Sequence, residues 1–187
     1  LHKEYRRQRQ MCIRDRITTT GSPISIPAYR IIEDSRGTIW IASKGTGVIG
    51  LVPRSDDHSY RLTSYAYDPN DIYSLSHNSV YDICEDSHGR LWVATFGGGI
   101  NCMERQADGS YRFINTRNNL KAYPMDRCAK ARAIQRDKNG MLWAATSNGL
   151  LSFYEEFTRP EAVNFKLHVR AVSYTHLRAH ETSQDLV

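Results

Sequence analysis

Long apolar runs are what this sequence most plainly lacks. Nowhere in its 187 residues do eighteen apolar side chains follow one another, so no membrane-spanning helix is encoded within it. Cysteine is scarce, at four residues, and no two form a Cys-x-x-Cys pair, which leaves no zinc-binding pattern. Cys84 and Cys102 fall on predicted strands, where a small buried thiol is the plainer reading; a disulfide among Cys84, Cys102 and Cys128 stays open. Catalytic motifs are missing too. There is no Gly-x-Ser-x-Gly element. The glycine-rich GTG and FGGG stretches lie between strands rather than before a helix, and no Lys-Ser/Thr follows them, so they are not phosphate loops. His58, His77, His88 and His168 are scattered. These absences point away from an enzyme, a metal site or a cofactor.

The two ends resemble translated sequencing adapters. LHKEYRRQRQMCIRDR (1–16) contains MCIRDR, which back-translates to ATG-TGT-ATA-AGA-GAC-AG, and VSYTHLRAHETSQDLV (172–187) contains SYTHLRAHET, which back-translates to the complementary adapter. Such segments are set aside from fold reasoning, leaving 17–171 as the protein proper. The exclusion changes the charge. The whole chain has 25 basic and 20 acidic residues, a net charge of +5, whereas 17–171 keeps 18 and 16, a net charge of +2. The basic N-terminal run therefore gives no nucleic-acid arm. His176-x-x-x-His180 mimics helical zinc spacing but lacks the Glu after the first His.

What is present is a repeat. DSRGTIWIASKGTGV (34–48), DSHGRLWVATFGGGI (86–100) and DKNGMLWAATSNGL (137–150) place Trp40, Trp92 and Trp143 at spacings of 52 and 51 residues. A fixed period of this length signals a repeat architecture. In every copy an apolar strand leads into a turn that opens with Asp34, Asp86 or Asp137 and closes with Gly37, Gly89 or Gly140. Asp hydrogen-bonds backbone two residues on and Gly accepts positive φ, so the pair of strands is a hairpin. The fixed place of the three aspartates makes turn capping the stronger reading over a carboxylate cluster, and His88 sits at a turn position held by Arg36 and Asn139 elsewhere.

A third strand follows (VIGLV, INCME, LLSFY), then a fourth (YRLTSY, YRFINT), which the last copy reaches at NFKLHV. Four antiparallel strands about every fifty residues describe one blade of a β-propeller. The fold class expected is all-β: a partial propeller of about three four-stranded blades, near 29–66, 79–116 and 131–169, in an open arc. Ala42, Ala94 and Ala145 stand two positions after each tryptophan, on the same strand face. A large residue beside a small one lets neighbouring sheets interdigitate, so the tryptophans are read as blade-to-blade packing rather than ligand platforms. An arc leaves two uncovered blade faces and should be prone to association.

These residues resemble the two-component regulator propeller repeat. The fullest copy is Leu75, Asn78, Val80, Asp86, Gly89, Leu91, Trp92, Ala94, Thr95, Gly99 and Ile100; the first has Ser43 where threonine is usual. The resemblance implies seven-bladed propellers in a periplasmic sensor, followed by a membrane helix and a histidine kinase. It also implies a homodimeric full-length protein and, in gut Bacteroides-type bacteria, oligosaccharide sensing. None of the kinase parts is in this sequence, so the chain is read as a non-enzymatic piece of the sensor.

In a propeller the loops after the second and fourth strands share one face. That face should collect Lys44, Tyr73, His77, Asn78, Phe96, Asn118, Tyr123 and Arg127, which offer aromatic and hydrogen-bonding groups to a sugar. Expected partners are an oligosaccharide and the other blades of the full-length sensor, with no nucleic acid and no membrane contact within this piece. Two alternatives stand beside this reading: a propeller lyase, for which His77 is the one candidate base, and a protein-binding scaffold.

Overall fold

The computed structural model describes residues 26–55, 59–156 and 162–168; the two adapter-like ends, His58, His176 and His180 lie outside them. Among the described residues there are twelve strands and one helical turn. The first sheet runs β1 (Ala28–Glu33), β2 (Ile39–Ser43), β3 (Gly47–Pro53) and β4 (Tyr60–Tyr65). The second is β5 (Val80–Glu85), β6 (Leu91–Thr95), β7 (Gly99–Arg105) and β8 (Tyr111–Ile114). After the helical turn α1 (Met125–Cys128), the third is β9 (Ala131–Arg136), β10 (Met141–Thr146), β11 (Gly149–Tyr154) and β12 (Lys166–His168). Each sheet is an antiparallel meander in sequence order. The expected fourth strand of the last copy is β12, which pairs Leu150 with His168.

The first strands β1, β5 and β9 lie side by side and form the inner edge of an arc, with the sheets radiating from it. Each first strand pairs with its neighbour through a register shift, at Ala28/Arg30, Val80/Asp82 and opposite Ala145/Thr146. The shift skips Tyr29, Tyr81 and Arg132, one per sheet. A bulge re-aims the extra residue. Asp82 ties the three inner strands together: its carboxylate faces Arg30 of β1 at 3.4 Å and accepts the Ile134 N–H of β9 at 2.9 Å.

Strand alternation gives each sheet two apolar faces. Trp40, Ala42 and Val48 of the first sheet pack against Ile83, Leu91, Val93, Met103 and Phe113 of the second. Trp92, Ala94, Ile100 and Cys102 of the second pack against Ile134, Leu142, Ala144, Leu151 and Phe153 of the third. Trp40 and Trp92 are fully buried. Trp40 meets Tyr111 edge-on at 5.3 Å, and Trp92 meets Phe153 at 4.8 Å. Gly50, across from Trp40 in the ladder, makes room for the indole: a Cβ there would come within 2.8 Å of Trp40 Cζ3. Trp143, at the same place in the third sheet, is only half-buried and lies against His168 at 5.6 Å, because no described residue packs a fourth sheet onto it.

Each tryptophan is also pinned by its own turn. Trp40 Nε1 donates to Asp34 at 2.8 Å, Trp92 to Asp86 at 2.9 Å and Trp143 to Asp137 at 3.1 Å. The other carboxylate oxygen takes two backbone N–H groups in each turn: Arg36 and Thr38, His88 and Arg90, Asn139 and Met141. The hydrogen bond from Trp143 holds the Asp137 carboxyl below its usual range.

Neighbouring sheets are clasped at this turn end as well. Ser35 donates through N and Oγ to Glu85, at 2.8 and 2.6 Å. One sheet on, Ser87 does the same to Glu155, at 3.0 and 2.7 Å. Arg136, which replaces the glutamate at the end of the inner strand, grips Glu155 through Nε and Nη2 at 2.7 and 2.9 Å. That pairing, helped by Ser87, holds the nearly buried Glu155 carboxyl down at about 2. The three described cysteines are free thiols; burial pushes Cys84 up and Cys102 well up.

Candidate functional site

At the opposite end of the sheets, the tips of the first two central hairpins dock on the chain leading into the next sheet. The N–H groups of Gly45 and Gly47 both donate to the Asn78 carbonyl, and those of Gly97 and Gly99 to the Ala129 carbonyl, at 2.9 to 3.0 Å. Lys44 forms a bridge with Ser79 and Phe96 with Lys130. This docking leaves a cleft of about 620 Å³ where the long connections after β4 and β8 meet the β6–β7 tip. It is lined by Tyr67, Ser76, His77, Asn78, Gly97, Gly98, Thr116, Arg117 and Met125.

The walls are built by local hydrogen bonds. Asn78 Oδ1 accepts the Tyr67 N–H at 2.7 Å, so this side chain fixes the loop that carries Tyr67. His77 Nδ1 accepts the Ser79 N–H at 3.0 Å; a neutral ring held this way carries its proton on Nε2, which becomes a donor. Ser76 N is held by the buried Asn101 at 3.0 Å. Arg117 reaches the Asp68 and Pro69 carbonyls at 3.0 and 3.1 Å, and its guanidinium lies 4.9 Å over the Tyr67 ring. Glycine is required at the tip: a Cβ on Gly98 would run into Ser76, and one on Gly97 would come within 2.8 Å of His77.

Of the residues expected on this face, His77 and Asn78 line the cleft. The others lie elsewhere. Tyr123 is buried in the core between the second and third sheets, where its hydroxyl donates to the Cys128 carbonyl at 2.6 Å and burial raises its phenol; its ring is closed to a ligand. Asn118 is spent on the Ile72 and Phe113 carbonyls, at 2.7 and 2.9 Å. Tyr73 sits at the periphery beneath Arg112 at 5.7 Å, and Arg127 is exposed beside Asp126 at 3.7 Å. Lys44 backs onto Pro27 through its N–H at 3.0 Å.

Phe96 belongs to a second constellation on the inner edge. The bulge residues Tyr29 and Tyr81 stack at 4.5 Å, Tyr81 meets Phe96 at 5.3 Å, and Lys130 and Arg132 lie 5.1 and 5.4 Å over Phe96. The row joins the inner edges of three sheets and ends on Tyr29, which is exposed.

Tyr67, Ser76, Thr116, Arg117 and Met125 of the cleft carry no repeated pattern that would have marked them in the sequence. No Asp or Glu lines the cleft, and no nucleophile–base pair occurs in it. Asp86, His88 and Glu155 do place ligand atoms within 4.8 Å of one another. Both carboxylates are already filled by N–H donors, including Arg90 and Arg136, so the trio is a clasp.

Three four-stranded meanders, joined inner strand to inner strand with interleaved tryptophans, define the blades of an open β-propeller. Residues 74–97, which include most of the second repeat's turn and first two strands, match the family described as two component regulator propeller. Among solved structures, the chain is similar to the extracellular domain of a hybrid two component system of B. thetaiotaomicron, with 24% identity and a TM-score of 0.53. That alignment covers 83% of this chain and 18% of the other. It is also similar to the extracellular domain of a one component system of the same organism, with 22% identity, a TM-score of 0.52, and coverage of 75% and 18%. The chain thus spans under a fifth of the length of these structures. No curated protein sequence matches it.

Proposed function

We propose that this chain is part of the extracytoplasmic ligand-sensing propeller of a membrane-anchored two-component regulator, and that it binds without catalysing. The observation that carries the reading is the cleft between hairpin tip and connections, part of whose wall (Ser76, His77, Asn78 and Gly97) lies within the matched residues 74–97. It offers Tyr67 as a ring backed by the Arg117 guanidinium, His77 and Ser76 as polar groups, and no carboxylate for acid–base work. Convergent polar groups beside an aromatic ring suit a hydroxyl-rich ligand, for which an oligosaccharide is the leading class. The parent protein would be a homodimer anchored at the inner membrane, facing the periplasm, with a histidine kinase beyond the membrane.

The test has two arms. Calorimetric titration of a panel of neutral and acidic oligosaccharides should find one that binds the chain and is lost in Tyr67→Ala and His77→Ala. A panel that binds nowhere, or binds both variants unchanged, overturns the site. Reading the coding DNA on either side of 17–171 should reveal a membrane span and a kinase; a secretion signal and stop codon instead would overturn the two-component assignment.

A further inference from the structure

The cleft leaves hydrogen-bond donors uncommitted and supplies no anion. All of its walls come from between the first and third sheets. Asn78 spends Oδ1 on the Tyr67 N–H at 2.7 Å, which fixes the amide's orientation. Its Nδ2 keeps two hydrogens with no acceptor among the described residues. His77 spends Nδ1 on the Ser79 N–H at 3.0 Å, so the neutral ring presents Nε2–H. The N–H groups of Gly97 and Gly99 go to the Ala129 carbonyl, while that of Gly98, between them, has no acceptor among the described residues.

The charge is one-sided too. Arg117 is half-buried, and its guanidinium is held by three neutral oxygens: the Asp68 and Pro69 carbonyls and Ser74 Oγ, at 3.0, 3.1 and 3.1 Å. No carboxylate pairs with it among the described residues. The acidic side chains of the two connections are engaged outside the cleft. Asp68 and Asp71 take the Asn70 and Tyr73 N–H groups at 2.8 Å, and Asp126 faces Arg127 at 3.7 Å. A neutral sugar hydroxyl donates as well as accepts, so a site shaped for it supplies acceptors beside donors. An ionised carboxylate or a sulfate only accepts, and its hydrogen bonds are the stronger for its charge.

We propose that the cleft selects oligosaccharides whose seated sugar carries an anionic group, a carboxylate or a sulfate, over their neutral counterparts. The Asn78 amide, His77 Nε2–H and the Gly98 N–H supply the donors. Arg117 acts through its charge from behind the Tyr67 ring, which stacks on the sugar. The inference rests on the cleft being the ligand site.

Calorimetric titration of the 187-residue chain with tetragalacturonic acid and with its methyl ester separates charge from sugar shape. The acid should bind about tenfold tighter or more, and added salt should narrow the gap. A sulfated carrageenan tetrasaccharide against its desulfated form asks the same of sulfate, and a preference for the anion in either pair supports the proposal. Asn78→Asp keeps an oxygen for the Tyr67 N–H but turns the amide donor into a negative charge. It should weaken binding of the anion about tenfold or more in a chain that still folds, as far-ultraviolet circular dichroism checks. Arg117→Lys should keep part of the preference that Arg117→Gln loses. Neutral forms that bind as tightly as the anionic ones overturn the proposal and leave the cleft as a sugar site. Anion binding unmoved by Asn78→Asp lies elsewhere on the chain and overturns it as well. If none of the four saccharides binds, the reading of the cleft as a sugar site falls, and this selectivity with it.

Discussion

Trp92 donates its indole N–H to Oδ2 of Asp86 at 2.9 Å, six residues upstream, while Oδ1 of the same carboxylate takes the N–H groups of His88 and Arg90. One buried carboxylate therefore shapes the hairpin turn and sets the rotamer of the side chain that joins two sheets. Local turn chemistry and blade packing are the same interaction seen from two ends.

Asp86→Ala should accordingly destabilise the fold by about 2–4 kcal/mol, since it orphans several buried donors at once. Trp92→Ala should cost about 3–5 kcal/mol through the cavity between sheets. The equivalent changes at Asp137 and Trp143 should cost less, because that indole is half-exposed. Urea unfolding of the four variants measures the ranking; equal losses at Trp92 and Trp143 would contradict it.

Acid should loosen the joint between the second and third sheets. Glu155 is protonated near about 2 in the fold, against an ordinary value near 4.5. Its contribution is whole above pH 4.5 and drains away as the pH falls toward 2. Urea midpoints at descending pH should therefore fall more steeply for the native chain than for Glu155→Gln, which has no charge to lose there. Parallel slopes would remove Glu155 from the account.

Gly50→Ala should destabilise by about 1–3 kcal/mol by overpacking against the Trp40 ring and Thr63. Combining it with Trp40→Phe should recover part of the loss, because a smaller ring vacates the space. A double variant whose loss is the plain sum would show that the two positions do not touch.

Thiol labelling of the folded chain should find Cys84 ahead of Cys102. Cys84 is partly exposed, while Cys102 is fully buried and its thiol pushed further from ionisation. Brief alkylation followed by peptide mass spectrometry reads the order, and labelling of Cys102 first would contradict the packing.

The architecture was legible because its signals recur. The Asp–Gly turns, the Trp–Ala pairs and the fifty-residue period each appear three times, and together they define hairpins, sheets and the inter-sheet role of the tryptophans. The Asp–Trp hydrogen bond was equally visible as a constant six-residue spacing, yet each residue could be explained without the other. The Glu155 clasp was hidden. Arg136 stands where the second sheet has Glu85, and only three-dimensional register shows a carboxylate from β11's end taking over. The cleft was half legible for a similar reason. His77 and Asn78 belong to the repeat and its approach, whereas Tyr67 and Arg117 lie in connections that differ from copy to copy. Tyr123 has an aromatic's usual promise for a sugar, but its hydroxyl satisfies a buried carbonyl instead.

The joint between sheets has a consequence for how such a chain can change length over generations. Every sheet presents an inserting half on one side and a receiving half on the other, and the Asn78 and Ala129 carbonyls accept the preceding hairpin tip in the same way. Cutting out one period, 51 or 52 residues between equivalent points, rejoins like to like and leaves each remaining buried indole with a socket. Cutting out half a period strands both an indole and its socket. The whole sheet is thereby the unit that can be added or removed without stranding an indole or its socket.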